Sequence, residues 1–230
     1  MKKIFATLMV LPLLLSSCIN INFNGSGKRI RCTGPVETRA FEVEGSFSAI
    51  ELNGGFDVEL VNADSCSVVV TANNDAFEWF EVFTKDNGVL VVQTKDFVNL
   101  IAEECDVVIT APVFRSLEVN GAVDLEYTAS VSGEPLIVEV NGAGDMEMKN
   151  FSGPKLGITV NGAADMDIEQ LSVKDLYISI NGAGDVKLSG EADNADFSVN
   201  GAGSINASAL ALKNAPSVHK NGFADIKLAQ

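Results

Sequence analysis

From residue 113 onward, apolar and polar residues alternate in short runs that return about every 20 positions. Leu117, Val138, Ile158, Ile178, Phe197 and Val218 are followed two residues later by Val119, Val140, Val160, Ile180, Val199 and Lys220. Between them stand Glu118, Glu139, Thr159, Ser179, Ser198 and His219. A period of two marks a β-strand with one buried face. A second alternating run begins a few residues on: Leu125, Met146, Met166, Val186, Ile205 and Ile226, then Tyr127, Met148, Ile168, Leu188, Ala207 and Leu228. Each repeat therefore holds two strands and a looser return segment.

The two strands meet at one motif. Its Asn residues are Asn120, Asn141, Asn161, Asn181, Asn200 and Asn221, spaced 21, 20, 20, 19 and 21 apart. Gly and Ala follow each Asn, except that Phe223 stands in the last copy. The motif ends at Asp124, Asp145, Asp165, Asp185, Ser204 and Asp225. A related copy, Asn53-Gly54-Gly55-Phe56-Asp57, lies earlier. A period near 20 predicts an all-β solenoid, a parallel β-helix whose coils bury their apolar faces on one another. Right-handed winding is the expected hand. Gly accepts positive φ and Asn tolerates it, so both suit a corner. Stacked Asn side chains predict a hydrogen-bonded ladder, and the Asp residues are expected to cap backbone N–H groups.

Residues 41–112 are less regular. Glu81 to Lys85, the turn Asp86-Asn87-Gly88, and Val89 to Thr94 predict a β-hairpin that protrudes from, or covers, the first coils. Phe77, Trp79, Phe80 and Phe83 cluster just before its turn. They read either as a cap over the open end of the core or as an exposed patch for a sugar or protein. At the other end, Lys220 takes an apolar position beside His219, as a terminal coil requires.

The chain start changes the picture of location. Lys2 and Lys3 precede an apolar run from Ile4 to Leu15, too short for a membrane span. Leu15-Ser16-Ser17-Cys18 resembles the bacterial lipobox, with Cys18 as the lipidated residue. Residues 1–18 then read as a lipoprotein leader, and 19–40, with Gly25-Ser26-Gly27, as a flexible tether. Residues 41–230 form the single β domain. The protein is expected to be exported and held at a membrane, the outer one, by its lipid. The acidic export cue that some surface lipoproteins carry after the Cys is absent, so the face of the membrane stays open.

The formal charge is −15, and −17 without Lys2 and Lys3. No basic patch remains, which argues against nucleic acid as a partner. His219 is the only His, so multi-His metal and His-based catalytic sites are excluded. No cofactor is expected. The Asp column (Asp124, Asp145, Asp165, Asp185, Asp225) reads as structural, with a weak Ca²⁺ site as the alternative. The outward Glu126, Glu147, Asp167 and Lys187 raise a polysaccharide-active enzyme as a third reading, but any stacked acidic column gives such separations. Cys66-Ser67-Val68-Val69-Val70-Thr71 and Cys105-Asp106-Val107-Val108-Ile109-Thr110 look alike. Taken as equivalent positions in adjacent coils, Cys66 and Cys105 are either a disulfide or two buried thiols. Cys32 falls in the tether and reads as unpaired.

The leader, Phe47-Ser48-Ala49-Ile50-Glu51-Leu52-Asn53-Gly54, the strand Val107-Val108-Ile109-Thr110-Ala111-Pro112 and the tandem corners together resemble the auto-transporter adhesin, head GIN domain family of Bacteroidetes lipoproteins. The likeness covers about residues 40–230. Relatives often carry Ser-Gly-Ser-Gly-Asp where this chain has Asn and Ala. The resemblance implies a right-handed β-helix and brings no catalytic residues. The function expected is a non-enzymatic envelope adhesin or binding scaffold with a glycan or protein ligand. A periplasm-facing structural lipoprotein is the alternative, and the oligomeric state stays open.

Overall fold

The computed structural model describes residues 28–129 and 133–229, and within them the chain is all-β. The strands are β1 (Arg29–Arg31), β2 (Val36–Phe41), β3 (Ala49–Asn62), β4 (Ser67–Asn73), β5 (Phe80–Thr84), β6 (Val89–Thr94), β7 (Asn99–Ile101), β8 (Cys105–Ala111), β9 (Ser116–Thr128), β10 (Leu136–Lys149), β11 (Ser152–Leu212) and β12 (Ser217–Leu228). Among these residues no helix is long and apolar enough to cross a membrane. Ten strands form one sheet in the order β12-β11-β10-β9-β3-β8-β4-β2, with β6 also on β3 and β5 on β6. β1 and β7 form a separate pair.

The repeat sets the register. β9 pairs parallel with β10 and β10 with β11, each offset by one repeat, so Asn lies on Asn and Gly on Gly. β12 continues this on β11. The 61-residue β11 carries three corner copies, and their Asn side chains bond one another, so the strand stacks on itself. The predicted inward residues are buried through most of the stack: Leu117, Val138, Ile158, Ile178 and Phe197 are at most 2% exposed. Each such side chain contributes about 1.5–3 kcal/mol. β12 is the outermost layer and leaves Val218, His219 and Lys220 exposed.

The early motif turns out to be part of the stack. Asn53, Gly54 and Asp57 on β3 pair with Asn120, Gly121 and Asp124 on β9. The residues between β3 and β9 leave the stack and return. β6 pairs with the first half of β3, from Ala49↔Val89 to Asn53↔Gln93, and β8 with the second half, from Asp57↔Asp106 to Asn62↔Ala111. Together they make a further layer whose corner is replaced by a longer excursion. β4 then runs antiparallel to β8, and β2 to β4, which ends the parallel order on that side.

Four expectations need correction. The tether does not extend to residue 40, because β1 and β2 are strands and Cys32 lies buried in the core. Cys18 and the leader lie outside the described residues. The hairpin forms as β5 and β6, but β6 belongs to the main sheet rather than covering it. Cys66 and Cys105 are free thiols. β4 and β8 are antiparallel, not equivalent layers, so Cys105 lies opposite Ala72 at one end and Cys66 beyond the Ser67↔Thr110 pair at the other. The positive φ of each corner belongs to Gly rather than Asn.

At Gly182, φ is +150° and an added Cβ would lie 2.0 Å from the Gly162 carbonyl oxygen. The two layers approach so closely that only glycine fits. Gly55, on β3, has ordinary φ, and its Cβ would meet nothing nearer than 3.7 Å. Gly182→Ala should therefore cost about 2–4 kcal/mol in urea unfolding, whereas Gly55→Ala should be neutral or stabilise by up to ~1 kcal/mol. Equal effects would show that the corner approach is not what selects glycine.

Candidate functional site

The corner places two columns of polar side chains along the stack. In the first, Asn120 Nδ2 donates to Asn53 Oδ1 at 2.9 Å, Asn141 to Asn120 at 3.1 Å, and Asn161 to Asn141 at 2.9 Å. Asn181 donates to Asn161 at 3.0 Å and Asn200 to Asn181 at 3.3 Å. Asn53 extends the ladder by donating to Gln93 Oε1 at 3.3 Å. Asn221 stacks on Asn200 in register. An amide suits this place because it both donates and accepts, so identical side chains satisfy one another.

The second column holds the carboxylates. Asp57 lies between Asp106 and Asp124. Asp145 donates its backbone N–H to Asp124 Oδ1 at 3.3 Å, and Asp185 donates its own to Asp165 Oδ1 at 2.8 Å. Ser204 Oγ donates to Asp185 Oδ1 at 2.7 Å, and Asp225 pairs with Ser204. The aspartates thus accept from the next layer's backbone. Two residues on, Glu59, Glu126, Glu147 and Asp167 form a parallel column on the same outward face. Lys187 Nζ stands 3.9 Å from Asp167, and Lys149 Nζ 3.2 Å from Glu147. The face is acidic beside β3 and gains lysines, Lys187 and Lys227, towards β12.

This stacking shifts protonation. Burial, then Asp124 and Asp106, pushes the Asp57 carboxyl up to about 6. Asp145 is raised by burial and by Asp124 and Asp165, and Glu59 by burial and Glu126. The carboxylates sit at strand spacing along the outward face, with no His among them. Among the described residues no group of three or more His, Cys, Asp or Glu is arranged to hold a metal ion.

The aromatic cluster divides. Phe77 and Phe80 are 8% and 4% exposed and pack with Phe41 and Phe56, ring centroids 5.6–6.4 Å apart. They form a core cap. Trp79 carries the Lys28 ammonium 5.1 Å from its ring centre, and Phe83 is 41% exposed. Sequence reasoning missed Gln93 and Asp106 as members of the two columns, because the excursion between them hides the motif. It also missed a shallow open trough of about 670 Å³ across the return segments, lined by Ser152, Ser172, Lys174, Glu191, Asp193 and Lys213. Ser172 donates to Glu191, and Lys213 pairs with Asp193, so its polar groups answer one another.

Asn161 makes two rungs. Asn161→Ala should cost about 1–2 kcal/mol in urea unfolding, against under ~0.5 for Asn221→Ala. For Asp57 the folded state favours the protonated acid, so its penalty is fully present above pH 6 and relieved as pH falls towards 4. Thermal stability should rise from pH 7 to pH 5, and Asp57→Asn should flatten that rise. Salt should weaken the part of the effect that comes from Asp124 and Asp106. A fall in stability over that window would contradict this reading.

Comparison with known proteins agrees with this architecture. The structure is similar to a "putative adhesin" from Parabacteroides distasonis (20% identity, TM-score 0.76, 86% of this chain and 84% of that one). It is similar to a "putative lipid binding protein" from the same species (17%, TM-score 0.74, 88% and 100%). It also resembles a "putative adhesin" from Bacteroides fragilis (18%, TM-score 0.69, 86% and 99%). At these identities the likeness is one of fold. None of the curated proteins matches the chain. The model of the family described as "putative auto-transporter adhesin, head GIN domain" matches residues 46–230, and the chain belongs to that family.

Proposed function

We propose that the chain is a non-enzymatic envelope lipoprotein, anchored through Cys18 in the outer membrane, that acts as an adhesin or binding scaffold. Its stacked strands wind as a right-handed parallel β-helix. Support for the winding comes from β11: 61 residues would extend about 200 Å if straight, yet its Asn side chains bond at every repeat. Right-handed is the hand that parallel connections take.

The observation that carries the binding reading is the continuous outward face of in-register polar side chains running from β3 to β12. It is broad, open and repetitive, which suits an extended protein or glycan ligand better than a small substrate. Its carboxylates are structural, being bonded to the next layer or spaced by the strands. Family membership points the same way.

Cys18→Ser should move the protein from the membrane fraction to the soluble fraction, since the lipid is the sole anchor in this reading. Antibody labelling of intact cells should reach the wild-type protein. Protection until the cells are lysed would overturn the adhesin reading in favour of a structural protein facing the periplasm.

A further inference from the structure

The chain enters the fold by a slight attachment. β1 and β7 share three residue pairs, Arg29↔Asn99 to Arg31↔Ile101. Just beyond, the Cys32 N–H donates to the Ile101 carbonyl at 2.9 Å. One side chain then clasps two segments. Asn73, 1% exposed, donates Nδ2 to the Gly34 carbonyl at 2.7 Å and accepts the Glu103 N–H on Oδ1 at 2.7 Å. The stretch following Cys32 and the stretch preceding Cys105 therefore meet at Asn73. Cys105 pairs with Ala72, the neighbour of Asn73. Alternation along β8 turns Cys105 to the same side as the buried Val107 and Ile109. Cys32 is buried and Cys105 packs against the core, and in this structure both are free thiols. Cys66 lies at the far end of β4, its Sγ 3.7 Å from the Phe47 carbonyl.

We propose that Cys32 and Cys105 become joined by a disulfide bond as the exported chain folds. The proposal rests on the export reading above, since such bonds persist in oxidising compartments. The oxidant is a disulfide, either small or carried by an oxidoreductase. The two Sγ–H groups lose two protons and two electrons, the Cys32–Cys105 S–S bond forms, and the oxidant's S–S bond breaks to give two thiols. In the finished fold, burial holds both thiols in the protonated form. Cys32 is raised, and Cys105 is pushed up to about 12 by burial and then by Asp57 and Asp106. Thiolate is the attacking species, so the bond closes before the core does. Once formed, it ties the segment leading to the membrane anchor to β8 and so to the main sheet. A pull on the anchor then loads the sheet rather than three pairs of β1 and β7.

The test is refolding of the full chain from urea in a buffer of reduced and oxidised glutathione, then alkylation, digestion and peptide mapping of the monomer. The expected result is a linked Cys32–Cys105 peptide, loss of alkylation at both, and full alkylation of Cys66. Cys32→Ser should abolish the link and restore alkylation of Cys105. Alkylation of both Cys32 and Cys105 in refolded wild type, or a link through Cys66, overturns the proposal. The same map of protein taken from cell envelopes without reduction tests export separately. A bond formed in the refolded chain but missing there contradicts the export reading and not the cross-link.

Discussion

The approach of one corner backbone to the next is the constraint on which the other features depend. A Cβ on Gly142 would lie 1.9 Å from the Gly121 oxygen, and the same conflict recurs at Gly162 and Gly182. Glycine at that place lets the layers close to strand spacing. At that spacing the Asn amides come within bonding distance, and the inward Leu, Ile, Val and Met of successive repeats are buried in one core. A bulkier corner would separate the layers and weaken both the ladder and the core.

Stacking in register has an electrostatic consequence. Every residue meets its own kind, so side chains that complement themselves gain and those that repel themselves lose. Asn gains, as the ladder shows. Asp loses: the carboxyls of Asp57 and Asp145 are raised, by burial first and then by the stacked aspartates beside them. The loss is bounded because the carboxylates face water, where neighbours about 5 Å apart repel by only ~1 kcal/mol, and because they accept backbone N–H groups from the next layer. Towards β12 the column changes composition, with Ser204 bonding Asp185 and Lys187 beside Asp167. The acidic character of the face is therefore concentrated near β3.

Much of this was legible in the sequence because the repeat is strict. The inward residues and the Asn ladder follow from alternation and spacing alone, but the expected pair of strands is one strand running unbroken through each corner, and in β11 through the return segments as well. The first half was harder for identifiable reasons. The layer made by β6 and β8 keeps Gln93 and Asp106 in the ladder positions, but residues 94–105 replace a three-residue corner and erase the period. The likeness of the Cys66 and Cys105 segments was real in composition and misleading in direction, since antiparallel strands of the same alternation look alike. Cys32 sat among polar residues, and its burial depends on a three-residue strand that no pattern announces. The Phe77 and Phe80 cap was one of two readings, and ring packing decides it.

A stack in which each layer touches only its neighbours should lose stability in order, from its open end inward. Amide hydrogen exchange followed residue by residue tests this most directly. The fastest exchange is expected in β12, whose residues are largely exposed, and the slowest in the central layers around Val140, Val160 and Ile180. Uniform protection from β9 to β12, or a β12 as protected as β10, would contradict a structure held together layer by layer at the glycine corners.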